Sequence, residues 1–237
     1  MSQLNISKKY KSDNYDDRKY AISLIILHYT ETKSMKEAIN LLTSKIRKVS
    51  CHFLINKKGK IFKLVNLEKR AWHAGESNWK KKNDINSRSI GIELVYEGEL
   101  SNKRFPITQI NSLIKLLYFL KKEYQIKEIL GHSDIAPLRK IDPGKNFPWN
   151  NVLSKLKMNV SHTRINNKKM NKKEYLLFLT KLRKLGYGYI SSNKKNEINS
   201  LVIDAFHRRY IPNLLGKELQ HTSLNMVDDL LNLKDID

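Results

Sequence analysis

The chain has 237 residues, long enough for one sizeable core and a smaller second unit. Hydrophobic residues make up 40% of it in recurrent periodic runs, which excludes compositional disorder, and its single cysteine excludes an intrachain disulfide and a cysteine-based zinc cluster. The 45 Lys and Arg against 23 Asp and Glu give a formal net charge of +22, which either attracts a polyanion or reflects a Lys-rich composition, since Lys is scattered through every element and no nucleic-acid recognition motif accompanies it.

The polar start MSQLNISKKYKSDNYDD has no apolar core of a signal peptide, so a cytoplasmic protein is expected unless a leader has been removed. SLIILHYT, Ser23 to Thr30, is a short continuous apolar run, the pattern of a strand covered on both faces. Ser34 then opens a predicted helix, with Glu37 completing a capping box and Ala38, Leu41, Leu42 and Ile46 at helical spacing. CHFLI and KIFKLV flank the turn NKKG around Gly59 and predict a hairpin. AWHAGESNW, Ala71 to Trp79, has no period and reads as a loop, whereas SIGIELV, Ser89 to Val95, reads as a strand with Glu93 inside its apolar run. Thr108 is the predicted cap of a helix with Ile110, Leu113, Ile114, Leu117 and Leu120 on one face, and EILGH predicts a strand ending at His132.

Strands alternating with helices predict an α/β domain, placed over residues 1–158. Residues 159–173 turn polar and basic and read as a linker, and residues 174–237 carry three helical patterns: EYLLFLTKLRKLGYGY stopped by Gly186, NEINSLVIDAFHRRY, and TSLNMVDDLLNL from Thr222. No run approaches the roughly 20 apolar residues that span a bilayer, so no transmembrane segment is expected.

His28 and His132 sit at the ends of predicted strands, and Asp142 follows in a Pro-containing loop. Ligand sites of open α/β sheets gather beyond strand ends, so these side chains can converge. Two imidazoles and a carboxylate suit Zn²⁺ with a fourth position left for water, although a strand-end histidine is also met as a hydrogen-bonded rim residue. Glu93 needs a reason to stand in an apolar strand, because burying an unpartnered carboxylate costs several kcal/mol; service as a general base beside such a site would supply one.

The blocks ILHYT (Ile26 to Thr30), RAWHAGES (Arg70 to Ser77), SIGIELV and GHSDIAPLRKIDPGKNFPW (Gly131 to Trp149) together resemble the zinc-dependent N-acetylmuramoyl-L-alanine amidases of type 2, relatives of amidase-type phage lysozymes and peptidoglycan recognition proteins. The resemblance implies a mixed central β-sheet flanked by helices, with a C-terminal three-helix module similar to a small peptidoglycan-binding unit. It implies zinc held by His28, His132 and Asp142, Glu93 as the catalytic acid/base and Lys140 as the oxyanion-stabilising lysine. His73, Arg139 and Tyr29 become candidate substrate contacts, against the alternatives of a backbone-bonded histidine, a salt-bridged arginine and a packed tyrosine. The implied substrate is the amide between N-acetylmuramic acid, in its ordinary or 1,6-anhydro form, and L-alanine of the stem peptide, during cell-wall turnover or recycling.

Peptidoglycan or muropeptide fragments are then the expected partners of a monomer, not nucleic acid, and the cell envelope is the expected compartment if a leader was removed. The rival reading on the same fold is a non-catalytic peptidoglycan receptor, disfavoured because all four site residues are present. Cys51 stands where some phage relatives carry a tyrosine near the zinc, so the oxyanion role rests more on Lys140. His52 reads as a structural histidine, and His162, His207 and His221 as surface residues.

Overall fold

A computed structural model describes residues 4–158, 163–191 and 195–234. Strands β1 (Ile6–Ser7) and β2 (Tyr15–Asp17) lead into β3 (Leu24–Tyr29) and helix α1 (Met35–Thr43), followed by β4 (Phe53–Ile55), β5 (Ile61–Lys63) and β6 (Lys69–Ala71). The helical turn α2 (Ile85–Arg88) feeds β7 (Ser89–Leu94), and helix α3 (Ile107–Glu123) returns to β8 (Glu128–Gly131). The turn α4 (His132–Ile135) and helix α5 (Trp149–Lys155) follow, then helices α6 (Lys172–Leu185), α7 (Glu197–Tyr210) and α8 (His221–Lys234). No helix among the described residues is long and apolar enough to cross a membrane.

Six strands form one mixed sheet in the order β1-β5-β4-β7-β3-β8, flanked by helices, as the resemblance implies. Its centre is parallel: β3 pairs with β7 and β8, and β7 with β4. β4 and β5 form the predicted antiparallel hairpin. All six residues of β3 are buried, which explains its unbroken apolar run.

Successive strand side chains point to opposite faces. Ile25, Leu27 and Tyr29 of β3, with Ile90, Ile92 and Leu94 of β7, therefore enter one apolar cluster beneath α3 and α5. Leu24 and Ile26 point the other way, into a cluster shared with Phe178, Leu179, Val202 and Phe206 of the C-terminal helices. A third, smaller cluster gathers Ala38 and Leu42 of α1 with Leu54 and Val95. The C-terminal helices thus share a core with the sheet. The described part of the predicted linker is also tied down: Asn166 N–H donates to Thr222 Oγ1 (2.8 Å) and His221 N–H to the Lys168 carbonyl (2.9 Å).

Three local expectations are corrected. Ser34 does cap α1, accepting from Glu37 N–H at 3.2 Å, but the Glu37 carboxylate reaches back to Lys33 N–H (3.0 Å) and not to the cap itself. The helix stops at Thr43, so Ile46 misses the apolar face and is 92% exposed. Thr108 lies inside α3 and donates its hydroxyl to the Lys57 carbonyl (2.9 Å), while Pro106 precedes the first turn.

Candidate metal centre

Parallel pairing of β3 with β7 sets His28 directly beside Glu93, and His132 emerges from β8 on the other side of β3. Neighbouring strand ends therefore deliver three of the predicted residues to one place. Asp142 comes back to them from its loop, its carbonyl accepting from Ser133 N–H at 2.9 Å. Gly144, at φ +82°, makes the return possible, since a Cβ there would stand 3.2 Å from Glu99 Oε2. The result is a buried triad: His28 Nδ1 lies 3.0 Å from His132 Nδ1 and 2.9 Å from Asp142 Oδ2, and His132 Nδ1 lies 3.1 Å from the same oxygen. These residues form a group able to hold a metal ion.

Hydrogen-bond accounting fixes which ring nitrogens carry protons. Ser89 Oγ donates to the Ile85 carbonyl (2.6 Å), so it accepts from His73 Nε2–H at 3.2 Å. His73 Nδ1 is then the acceptor for His28 Nε2–H, 3.0 Å away. His132 Nε2–H donates to the Ala74 carbonyl at 3.0 Å, a group that can only accept. In neutral rings both Nδ1 atoms are consequently bare lone pairs, facing each other and a carboxylate oxygen with no proton between them. Three acceptors so placed repel one another, and a divalent cation satisfies all three. Tetrahedral zinc bonds of about 2.0–2.1 Å would set such donors roughly 3.3 Å apart, close to the spacing found.

The electrostatics agree, because metal ligands must be deprotonated. Burial, reinforced by neighbouring His132, pulls the His28 imidazole down to about 4 against the attraction of Asp142. Burial would raise the Asp142 carboxyl, but contact with His132 and His28 overcomes it and holds the group well below the usual carboxylate range. Glu93 behaves oppositely: burial pushes its carboxyl well above the ordinary value, the Asp142 charge adds to this, and the Lys140 ammonium opposes it. Glu93 Oε2 is buried with no hydrogen-bond partner among the described residues. Lys140 is half-buried, and its side chain forms no hydrogen bond or ion pair among them. Cys51 lies close enough for the Glu93 charge to push its thiol up, after burial as the main cause, and its Sγ donates to the Phe53 carbonyl at 3.1 Å.

The three expected substrate contacts all have partners within the fold. His73 stands behind His28 with both ring nitrogens bonded, to His28 and Ser89. Tyr29, one residue after His28, points to the opposite face and packs against Tyr96 with ring centroids 5.7 Å apart. Arg139 donates from Nε (3.0 Å) and Nη2 to the Glu76 carbonyl, and from Nη2 also to the Ala74 carbonyl that holds His132. His52 is the structural histidine expected, its Nδ1 accepting from Gly91 N–H at 3.0 Å. His207 is not a surface residue: it is fully buried with Nε2 2.8 Å from Ser223 Oγ. His221 is only partly exposed and lies 3.2 Å from Glu174, while His162 falls outside the described residues.

Sequence reasoning missed Arg18, whose guanidinium donates to the carbonyls of Leu67, Asn86, Ser87 and Ser89 at the entry to β7. No pattern marks it, because four of its partners are backbone carbonyls and the fifth, His52 Nε2 at 2.7 Å, lies 34 residues away. It also passed over Asp134, although the residue stands inside the quoted loop motif; its carboxylate accepts from Gly131 N–H at 2.7 Å.

With this geometry in hand, comparison with known proteins becomes specific. Residues 18–145 match the Amidase_2 family, described as N-acetylmuramoyl-L-alanine amidase. The 1,6-anhydro-N-acetylmuramyl-L-alanine amidase AmpD of Haemophilus influenzae is 44% identical over 114 residues, which cover 46% of this chain and 60% of that protein. The N-acetylmuramoyl-L-alanine amidase AmiD of Escherichia coli is 37% identical over 143 residues, covering 54% of this chain and 51% of that protein. The chain thus spans about half to three-fifths of the length of these two relatives. Among solved structures, AmiD from E. coli in complex with anhydro-N-acetylmuramic acid-L-Ala-D-gamma-Glu-L-Lys matches with a TM-score of 0.81 and 28% identity, over 91% of each chain.

Proposed function

The chain belongs to the N-acetylmuramoyl-L-alanine amidase family, and from that premise we propose that it is a zinc hydrolase. Its substrate on this reading is the amide joining N-acetylmuramic acid, the 1,6-anhydro form included, to L-alanine of the peptidoglycan stem peptide. The observation that carries the proposal is the convergence of three proton-free acceptors, on His28, His132 and Asp142, beside a buried glutamate oxygen without a hydrogen-bond partner among the described residues. Two imidazole nitrogens and one carboxylate oxygen are a donor set that zinc accepts with a position left open. The substrate class draws support from the names of the AmpD and AmiD relatives and from the ligand held by AmiD.

Zinc in this site supplies Lewis acidity, polarising the scissile carbonyl and easing ionisation of a water nucleophile. His28 and His132 would hold it through Nδ1 and Asp142 through its carboxylate, with His73 and the Ala74 carbonyl fixing the histidine tautomers from behind. Glu93 is the proton carrier: it takes a proton from the attacking water and hands it to the departing alanine nitrogen. Burial and the Asp142 charge raise its pKa above the ordinary carboxylate value, the direction a proton carrier needs. The Lys140 ammonium, which has no hydrogen bond or ion pair among the described residues, is available to the oxyanion that develops on the carbonyl. The C-terminal helices are read as a peptidoglycan-binding-like module, and the whole as an enzyme of cell-wall turnover or recycling.

The test is to incubate the purified protein, zinc-loaded or chelated, with intact sacculi and with anhydro-muropeptides, and to identify released peptides by mass. Peptides beginning with free L-alanine, absent after chelation and with Glu93→Ala, are the expected result. Tight binding of muropeptides without any release would replace the hydrolase by a receptor.

A further inference from the structure

Two consecutive arginines near the end of α7, Arg208 and Arg209, reach two different carboxylates. Adjacent helical residues project about 100° apart, so a pair can fan out in this way. Arg208 Nε donates to Glu99 Oε2 at 2.9 Å, and that same oxygen accepts from Lys145 N–H at 2.6 Å. Arg209 Nη1 pairs with Asp134 Oδ2, which also accepts from Gly131 N–H at 2.7 Å, while Asp134 Oδ1 accepts from Tyr187 O–H at 2.7 Å. Arg209 Nη2 donates to the Ile129 carbonyl (2.9 Å), and its guanidinium lies 4.1 Å over the Trp149 ring.

Gly131 immediately precedes His132, and Lys145 follows Asp142 by three residues. The two carboxylates therefore grip both ends of the segment that carries two of the three metal donors, and both are gripped in turn from one helix. Side-chain exposures of 12% and 10% for Arg208 and Glu99, and 7% and 1% for Arg209 and Asp134, show that both pairs are largely withdrawn from water. Buried ion pairs add little net stability over apolar residues of similar volume, so folding energy is a poor account of two of them side by side. Directional bonds to the backbone at both ends of the segment are what an apolar replacement could not supply.

We propose that Arg208 and Arg209 are positioning residues of the metal centre: acting through Glu99 and Asp134, they keep His132 and Asp142 at coordinating distance, so that metal retention depends on the C-terminal helices. The inference rests on the metal reading given above.

The experiment measures Zn²⁺ affinity of the full chain by competition with a chromophoric chelator, alongside thermal unfolding of the zinc-free protein. Arg208→Gln and the double variant Asp134→Asn with Arg209→Gln are each expected to bind zinc about 10- to 100-fold more weakly, the usual effect of losing an outer-layer support. Arg208→Lys, which keeps the cation, is expected to recover most of the affinity. Leu113→Ala, on the far face of the sheet, is expected to lower the melting temperature without weakening zinc. Should the double variant not fold, Arg208→Gln, at the less enclosed pair, carries the test. Zinc affinities within twofold of the parent, or an equal loss in Leu113→Ala, would overturn the inference alone. A parent that binds no zinc would overturn the metal reading and this inference together.

Discussion

The two faces of β3 and β7 are built from the same twelve residues, yet they do opposite work. On one face Ile25, Leu27, Ile90, Ile92 and Leu94 meet α3 and α5 in a continuous apolar contact. On the other, Leu24 and Ile26 give way at the strand end to His28, and Ser89, Gly91 and Glu93 line the neighbouring strand. A period of two lets one strand serve as core and as site together. The apolar face supplies the rigidity on which the polar face holds the candidate metal centre. His28 is held in place by its Nε2–H bond to His73, and its Nδ1 and the Glu93 carboxylate face the candidate metal position.

Substitutions on the polar face should cut catalysis without unfolding the protein, and the largest effect is expected at Glu93. Glu93→Gln should lower the rate of muropeptide cleavage about 10²- to 10⁴-fold with zinc affinity retained, as followed by mass analysis of released peptide. Near-normal turnover in that variant would remove Glu93 from the chemistry. Lys140→Ala comes next, at about 100- to 1000-fold in kcat. A drop confined to KM would instead make the lysine a ground-state contact.

The apolar face should show the converse. Leu113→Ala is expected to lose about 2–5 kcal/mol in denaturant unfolding while turnover per folded molecule stays at the parent level. Gly91→Ala crosses between the two faces' roles: its Cβ would stand 2.3 Å from the His73 ring, so His73 must move and release His28. Zinc affinity should weaken about 10- to 100-fold, and unaltered affinity would show that His73 does not orient its neighbour.

The smallest effect concerns pH and lies away from the site. Burial holds the His207 imidazole down to about 4 from its ordinary 6.5. Between those values the unfolded chain binds a proton that the folded chain refuses, so stability is full above about 6.5 and is lost as pH falls towards 4. The loss from pH 7 to pH 5 should be on the order of 1–2 kcal/mol. Urea titrations of His207→Gln should show a shallower acid limb than the parent, and parallel limbs would refute the assignment.

Much of the architecture was legible in the chain. SLIILHYT reads as a doubly covered strand because it is one, and the Glu93 that stands out in SIGIELV is set by the sheet register directly beside His28. Other positions were legible only as residue types. Tyr29 adjoins the candidate metal donor His28 in sequence, and for that very reason cannot share its face. His73 sits in a conspicuous loop motif, but Gly91 leaves a hollow into which its ring sinks behind His28. His207 stands in a run as basic as HRRY, yet α7 turns it inward onto Ser223.

Residue order alone carried the periodicities, and with them the strands, most helix limits and the four blocks that bring the family to mind, because local backbone preference and the burial pattern are written at short range. Which nitrogen of each histidine faces the candidate metal position, which arginine grips which carboxylate, and on which side of a strand each candidate falls were decided only by the assembled fold. Those outcomes depend on partners 10 to more than 100 residues apart, as His132 with Asp142 and His28 with His132 illustrate, and such distances close only when the sheet and its covering helices are in place.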